Sequence, residues 1–256
     1  MITSAHNARI QLARALLGRR KERDEAGAFV VEGVRLAEEA LLAGWLPRFV
    51  LYSERLSERG QQLIARFAQA GVETEEVAAR LLEELSETEA SQGILAVLPR
   101  RTLPLPQRPD FVVIADGLRD PGNMGTLLRS AAAAGAQAVL LPPGTTDAFA
   151  PKVVRSGMGA HFRLPVLALD WVQIEALCRP LRVFVAEAEQ GVVCWQTDFC
   201  QPLALVVGGE AEGASAEARR LCTDYVTIPM PGRSESLNAA VAAGVLLFEV
   251  VRQRRR

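Results

Sequence analysis

Apolar and polar positions along this chain fall into two regimes. Over the first hundred residues, short apolar runs alternate with amphipathic stretches of helical period. Ala8 to Leu17 alternates apolar and basic side chains as a helix, Phe29 to Val31 is a short strand, and Gly33 to Ala43 is a helix ending at Gly44. Phe49 to Tyr52 reads as a second strand, followed by a helix from Gln61 to Ala70 with Gly71 at its C-cap. Glu75 to Leu85 is predicted as a further amphipathic helix and Gly93 to Leu98 as another strand. Pro99 to Pro109 (PRRTLPLPQRP) then sets four prolines in eleven positions, which no helix interior or central strand tolerates. We read it as a linker.

Beyond the linker the apolar runs alternate with helices over short connections. Strands are predicted at Phe111 to Asp116, Ala138 to Pro142, Leu181 to Ala186, Leu203 to Val207 and Tyr225 to Ile228, with a helix from Met124 to Ala134. Uninterrupted apolar strands between helices predict a parallel sheet covered on both faces. The expected architecture is α/β, with a small domain over residues 1–98, the linker over 99–109 and a parallel-sheet domain over 110–256. Open parallel sheets bind ligands at the carboxyl ends of their strands. Three glycine-bearing loops follow such ends here: DGLRDPGNMG, GGEAEGAS and PMPGRSES.

The third loop leads into a helix that carries no charge from Leu237 to Phe248, which predicts burial on every face. Ser234 or Ser236 can cap it, and Asn238 is a lone polar residue at its mouth. Without the upstream loops this would be a capped core helix with no further task. In the first loop Asn123 is placed as an N-cap, and Gly125 permits close backbone approach. Arg129 is the only charged residue between Pro121 and Thr146, and its helical neighbours Gly125, Thr126, Ala132 and Ala133 are small. It is either a surface arginine or a guanidinium held for an anionic group. Glu210, at a strand end beside Gly208 and Gly209, is either a turn carboxylate or a partner that orients the arginine.

Composition narrows the function classes. With 256 residues, 49% apolar and 23% charged, the chain is an ordinary globular protein of one or two domains. The amino terminus carries charges where a secretory signal needs an apolar core, and no stretch of 18 apolar residues offers a membrane span. Cys178, Cys194, Cys200 and Cys222 form no CxxC pair and the only histidines are His6 and His161, so a metal site is not expected and a reducing cytoplasm is. The net charge of −1 hides basic ends: Arg9, Arg14, Arg19, Arg20, Lys21 and Arg23 against Glu22, and four arginines in the last five residues. Such ends on a neutral protein point to a polyanion, although charge runs are usually solvated faces.

Three blocks in order, DPGNMGTLLRSAAAAG (Asp120 to Gly135), LVVGGEAEGAS (Leu205 to Ser215) and IPMPGRSESLNAAVAAG (Ile228 to Gly244), resemble the SpoU-type, TrmH-like RNA ribose 2′-O-methyltransferases of the SPOUT superfamily. The resemblance is strong from Phe111 to the end. The segments ITSAHNARI and FVVEGVRLAEEAL resemble the L30-like RNA-recognition domain of many members. It implies a catalytic domain tied in a deep trefoil knot, a homodimer through that domain, and S-adenosylmethionine as cofactor. By motif position, Gly208, Ile228 and Leu237 would meet the cofactor, with Val207, Gly209, Pro229 and Met230 nearby. Arg129 would be the catalytic residue, with Asn123 and Glu210 holding it and Ser236 and Asn238 lining the ribose pocket. The added domain favours 23S ribosomal RNA over transfer RNA, with Arg9, Arg14, Arg19, Arg20, Lys21, Arg23 and Arg35 as candidate phosphate contacts.

Two rivals stand beside this reading. A dinucleotide-binding dehydrogenase would explain the strand, glycine loop and helix from Asp116 to Gly135, but the loop lacks GxGxxG and no acid ends the next strand. A non-catalytic L30-like RNA-binding protein would explain the first hundred residues and leave Arg129, Glu210 and Asn238 without a reason.

Overall fold

The computed structural model describes residues 1–86, 91–210, 212–232 and 235–255. Ser234, one of the two serines expected to cap the last helix, lies outside them, as does Arg256 of the basic tail. The chain groups into two compact units, Met1–Arg101 with Phe149–Phe162, and Thr102–Ala148 with Arg163–Arg256.

The first unit runs α1 (Ala8–Gly18), α2 (Arg20–Ala26), β1 (Ala28–Glu32), α3 (Val34–Leu42), β2 (Phe49–Tyr52), α4 (Glu58–Gln69), β3 (Glu73–Glu76), α5 (Ala79–Leu85) and β4 (Ile94–Pro99). Its sheet has the order β1-β4-β2-β3, antiparallel except for the parallel β2–β3 pair. Alternate residues of β1 serve opposite faces. Ala28 and Val30 join Ile10, Ala13, Leu16 and Leu81 in one core, while Phe29 meets Trp45 and Phe149 with ring centroids 6.1 and 5.0 Å away.

Three expectations are corrected here. The helix placed over Glu75 to Leu85 is two elements: Glu73–Glu76 pairs with Phe49–Tyr52 as an edge strand, and only Ala79–Leu85 is helical. A run of glutamates has little strand propensity of its own, and pairing with β2 overrides it. The helix expected from Gln61 begins at Glu58, with the Ser57 hydroxyl accepting from the Gly60 N–H at 3.2 Å. Arg23, grouped above with the phosphate contacts, is only 4% exposed and donates to the Leu16 carbonyl at 2.6 Å. That carbonyl lies at the α1 C-terminus, where backbone acceptors lack helical partners, so Arg23 is structural.

The second unit begins with β5 (Phe111–Asp116), α6 (Pro121–Ala134) and β6 (Ala138–Leu141). The chain then contributes α7 (Pro151–Gly157) to the first unit, where it packs on β1. Returning, it forms β7 (Val166–Ala168), α8 (Trp171–Cys178), β8 (Arg182–Ala186), β9 (Val192–Val193), β10 (Leu203–Gly208), α9 (Ala216–Leu221), β11 (Asp224–Thr227) and α10 (Ala239–Arg254). The seven strands pair in parallel in the order β7-β6-β5-β10-β8-β11-β9. The chain builds outward from β5 through β6 to β7, then lays β8 on the other side and inserts β10 between β5 and β8. Such a reversal of strand order opens a crevice at the carboxyl ends of the strands on either side.

Helix capping differs from expectation in a way that moves side chains. Asp120, not Asn123, is the α6 N-cap: its carboxylate accepts from the Asn123 N–H at 2.7 Å, with Pro121 in the first turn. Asn123 is thereby inside the first turn with its side chain released for other bonds. Asn238, not a serine, caps α10, its Oδ1 accepting from the N–H groups of Ala240 and Val241 at 3.0 and 3.2 Å. Nor is α10 buried all round. Ala240, Ala243, Leu246, Leu247 and Val250 are enclosed, but Val241, Val245 and Phe248 are 42–52% exposed, at spacings of four and three that define one stripe.

Candidate active site

The site grows from the ends of β5, β8, β10 and β11. In register, Gly208 at the end of β10 stands beside Asp116 at the end of β5. The Asp116 carboxylate is buried and accepts from the Ser215 N–H at 2.6 Å, tying the start of α9 to β5. Between them the chain turns back sharply, with Gly209 and Gly213 exchanging backbone hydrogen bonds of 3.1 and 3.0 Å. A Cβ at Gly208 would stand 2.3 Å from the Gly213 carbonyl carbon, and one at Gly209 would stand 2.6 Å from the Gly117 oxygen. The glycines are there because backbone meets backbone.

Across this turn the three loops are joined by side chains in a single directed chain. Asn238 Nδ2 donates to Asn123 Oδ1 at 2.9 Å, and Asn123 Nδ2 donates to Glu210 Oε1 at 2.7 Å. Because Asn238 Oδ1 is already used in capping α10, the orientation of both amides is fixed by the bonds they make. One residue from each motif block thus meets the next.

Under this chain lies a cavity of about 460 Å³. Val207, Gly208, Gly209, Glu210 and Gly213 form one wall, and Val226, Ile228, Met230, Ser236, Leu237 and Asn238 another. Ala186, Glu187 and Ala188 at the end of β8, with Ala239, Ala242 and Leu246 of α10, complete the lining. Of the seven residues expected at a cofactor, six line this cavity; Pro229 lies half-buried between two that do. The lining is apolar with exposed backbone groups and two carboxylates, Glu187 and Glu210, and none of its residues is basic. That chemistry suits an adenine ring carrying a cationic group. Glu187 and the β8 end were not singled out from sequence, although their strand was, and a carboxylate directly after a parallel strand was the available signal.

Arg129 is not where the sequence reading put it. The amides and carboxylate expected to hold it bond one another, and its own side chain is exposed, with no hydrogen bond or ion pair among the described residues. Helical geometry accounts for this. Six residues separate Asn123 from Arg129, about 9 Å along the axis and well round from its face. An exposed guanidinium needs no partner, so of the two alternatives the surface arginine is the one seen, and Asn123 and Glu210 do not hold it.

The basic residues proposed for phosphate contact differ in circumstance within the first unit. Arg9 is engaged with Glu73 and, at 2.6 Å, with Glu75. Arg14, Arg20 and Lys21 face Glu84, Asp24 and Glu25 at 3.7, 3.5 and 3.6 Å, while Arg19 and Arg35 are exposed. Loose pairs of this kind are easily exchanged for phosphate. Among the described residues no cluster of three His, Cys, Asp or Glu stands ready for a metal ion, and no helix is long and apolar enough to cross a membrane.

Residues 110–248 match the SpoU rRNA Methylase family and residues 7–96 the MRM3-like substrate binding domain. The chain is 39% identical to a 23S rRNA (uridine(2479)-2'-O)-methyltransferase of Streptomyces viridochromogenes, over 98% of this chain and 92% of that protein. It is 31% identical to the 23S rRNA (guanosine(2553)-2'-O)-methyltransferase RlmP of Bacillus subtilis, over 90% and 91%. Among solved structures it is similar to the SpoU methyltransferase AviRb of Streptomyces viridochromogenes in complex with AdoMet, with a TM-score of 0.84, 35% identity and coverage of 97% and 99%. It is also similar to an AdoMet-bound rRNA methyltransferase from Sinorhizobium meliloti, with a TM-score of 0.86, 31% identity and coverage of 98% and 97%.

The close approach at the β10 end gives a direct test. Gly208→Ala places a methyl group against the Gly213 backbone while leaving the backbone conformation at residue 208 accessible to alanine. It should lower stability by about 1–3 kcal/mol in urea unfolding. An unchanged midpoint would mean that the turn yields freely and does not shape the cavity.

Proposed function

The chain belongs to the SpoU rRNA methylase family, and from that premise we propose that it methylates a ribose 2′-hydroxyl of ribosomal RNA, using S-adenosylmethionine. The observation that carries the reading is a cavity of about 460 Å³ lined by the second and third motif loops and the β8 end, apolar, acidic and without a basic lining residue, with the first loop bonded to its rim through Asn123. S-adenosylmethionine would supply a sulfonium-activated methyl group to the ribose 2′-oxygen, with neutral S-adenosylhomocysteine leaving and the hydroxyl proton passing to water.

The work left to the protein is positioning and the handling of one proton. Val207, Gly208, Ile228, Met230 and Leu237 provide an adenine slot and backbone partners. Asn123, Glu210 and Asn238 hold the three loops at fixed separation, and Ser236 adds a hydroxyl at the mouth. We assign Arg129 to the substrate: an exposed guanidinium, with no acid beside it, is free to fork onto a phosphate and the adjacent ribose hydroxyl. A guanidinium is a poor base at neutral pH, so orientation is its role.

Residues 1–98 serve as the RNA-recognition domain, joined by the returning segment Phe149–Phe162, and the rest of 110–256 as the catalytic domain, with 99–109 between them. Ribosomal RNA is favoured over transfer RNA because this first domain accompanies the catalytic one, and because the relatives similar over nearly the whole chain are named for 23S rRNA. Shape and exposed nucleotides set the choice of site. Arg9, Arg14, Arg19, Arg20, Lys21 and Arg35 supply phosphate contacts, Arg23 being excluded by burial. Four unbridged cysteines, with burial pushing Cys178 up to about 12, suit a reducing cytoplasm. The active form is a homodimer that covers the Val241, Val245 and Phe248 stripe of α10, since an apolar stripe of that regularity asks for a partner surface.

Transfer of labelled methyl from S-adenosylmethionine to ribosomal RNA tests the assignment. Arg129→Ala should lower transfer roughly 100-fold or more while cofactor affinity stays within about threefold. Near-normal turnover would remove Arg129 from the reaction. Sedimentation tests the oligomer: the wild type should run as a dimer, and Phe248→Glu should shift it towards monomer. A monomeric wild type would refute the dimer.

A further inference from the structure

Glu187 is a residue of the cavity that none of the motif blocks contains. It follows β8 directly, and its backbone N–H donates to the Val226 carbonyl at 3.0 Å, which fixes its place between the β8 and β11 ends. Its carboxylate is held from one side only. Oε1 is enclosed and faces Arg219 Nη2 at 2.5 Å, while no hydrogen bond or ion pair to a described residue uses Oε2. Arg219 is itself anchored, its Nε donating to the Ala214 carbonyl at 3.1 Å, in the loop that bears Gly208 to Gly213. Arg219 thus links the β8 end to the glycine loop by an ion pair, and Glu187 is at the same time a lining residue of the cavity.

We infer that Glu187 accepts hydrogen bonds from the ribose hydroxyls of S-adenosylmethionine, with Arg219 as the positioning residue that aims it. The inference rests on the methyltransferase reading above and adds to it the ribose subsite. A carboxylate is an acceptor with no donor of its own, and a vicinal diol presents two donors. A carboxylate at a strand end of an open parallel sheet is well placed to take such hydroxyls. Charge separates the two acids of the cavity. Glu187 is neutralised by Arg219 and remains as a polar acceptor, which matches uncharged hydroxyls. Glu210 is bonded by the neutral amide of Asn123 and keeps its charge, which matches the cationic portion of the donor.

The test is calorimetric titration with S-adenosylhomocysteine and with its 2′-deoxy and 3′-deoxy forms, on wild type, Glu187→Ala, Glu187→Gln, Arg219→Ala and Arg219→Lys. In the wild type, loss of a hydroxyl should weaken binding about tenfold for at least one deoxy form. Glu187→Ala should bind S-adenosylhomocysteine about tenfold more weakly and no longer distinguish it from that deoxy form. Glu187→Gln, which keeps one acceptor oxygen, should retain part of the discrimination. Arg219→Ala should reduce it and Arg219→Lys restore it in part, whereas a merely structural Arg219 would weaken all three ligands equally. The comparison is internal to each protein, so a variant of lower stability still reports it. Discrimination in Glu187→Ala equal to that of the wild type would overturn the assignment while leaving the cofactor site intact. A Glu187→Ala loss that vanishes for an analogue lacking the amino group would place Glu187 on the ammonium instead and overturn it too. A wild type that binds none of the ligands would instead overturn the methyltransferase reading on which the inference stands.

Discussion

Backbone-to-backbone contact at the carboxyl end of β10 is the constraint on which the rest of the site depends. Gly208 lies against Gly213, Gly209 lies against the Gly117 carbonyl, and the Asp116 carboxylate closes the arrangement on the Ser215 N–H. No side chain fits into these approaches. Because the turn is so tight, Glu210 is delivered to Asn123, and Asn123 to Asn238. Three loops far apart in sequence are thereby held at separations that side-chain hydrogen bonds can span. The cavity is what remains beneath them. Each hydrogen bond is individually worth about 0.5–1.5 kcal/mol, so steric necessity at the glycines, more than bonding energy, sets the geometry.

The parallel sheet supports this by its strand order. Inserting β10 between β5 and β8 puts the carboxyl ends of β5, β10, β8 and β11 side by side, although β5 and β11 are separated by about a hundred residues of chain. Two carboxylates therefore reach one cavity from different strands. Their different neighbours, a guanidinium for Glu187 and an amide for Glu210, divide the polar work of recognising a ligand that is cationic at one place and hydroxylic at another.

Much of this was legible in the chain before its folding was known. Apolar runs such as Phe111 to Asp116 and Leu203 to Val207 announced buried parallel strands, and six of the seven residues expected at a cofactor line one cavity after their ends. What was not legible depended on partners outside the local window. The glutamates of β3 are strand because β2 pairs with them, which no propensity records. Arg23 reads as a surface base until the Leu16 carbonyl is found beside it. Asn123 reads as a cap although Asp120, three residues earlier, is an equally good one and takes that place. In α10 the absence of charge was read as complete burial, whereas Val241, Val245 and Phe248 remain open in a single chain. Glu187 was missed because its one local signal, a carboxylate directly after a predicted strand, lies outside the three glycine loops.

The measurement that bears most directly on the convergence of the three loops is calorimetric titration of the whole protein with S-adenosylmethionine, with NAD as the control. Saturable binding at one site per chain, with NAD silent, is the predicted result. Silence toward S-adenosylmethionine, or binding of NAD in its place, would contradict the account at its centre, because the cavity under Asn123, Glu210 and Asn238 would then serve some other ligand.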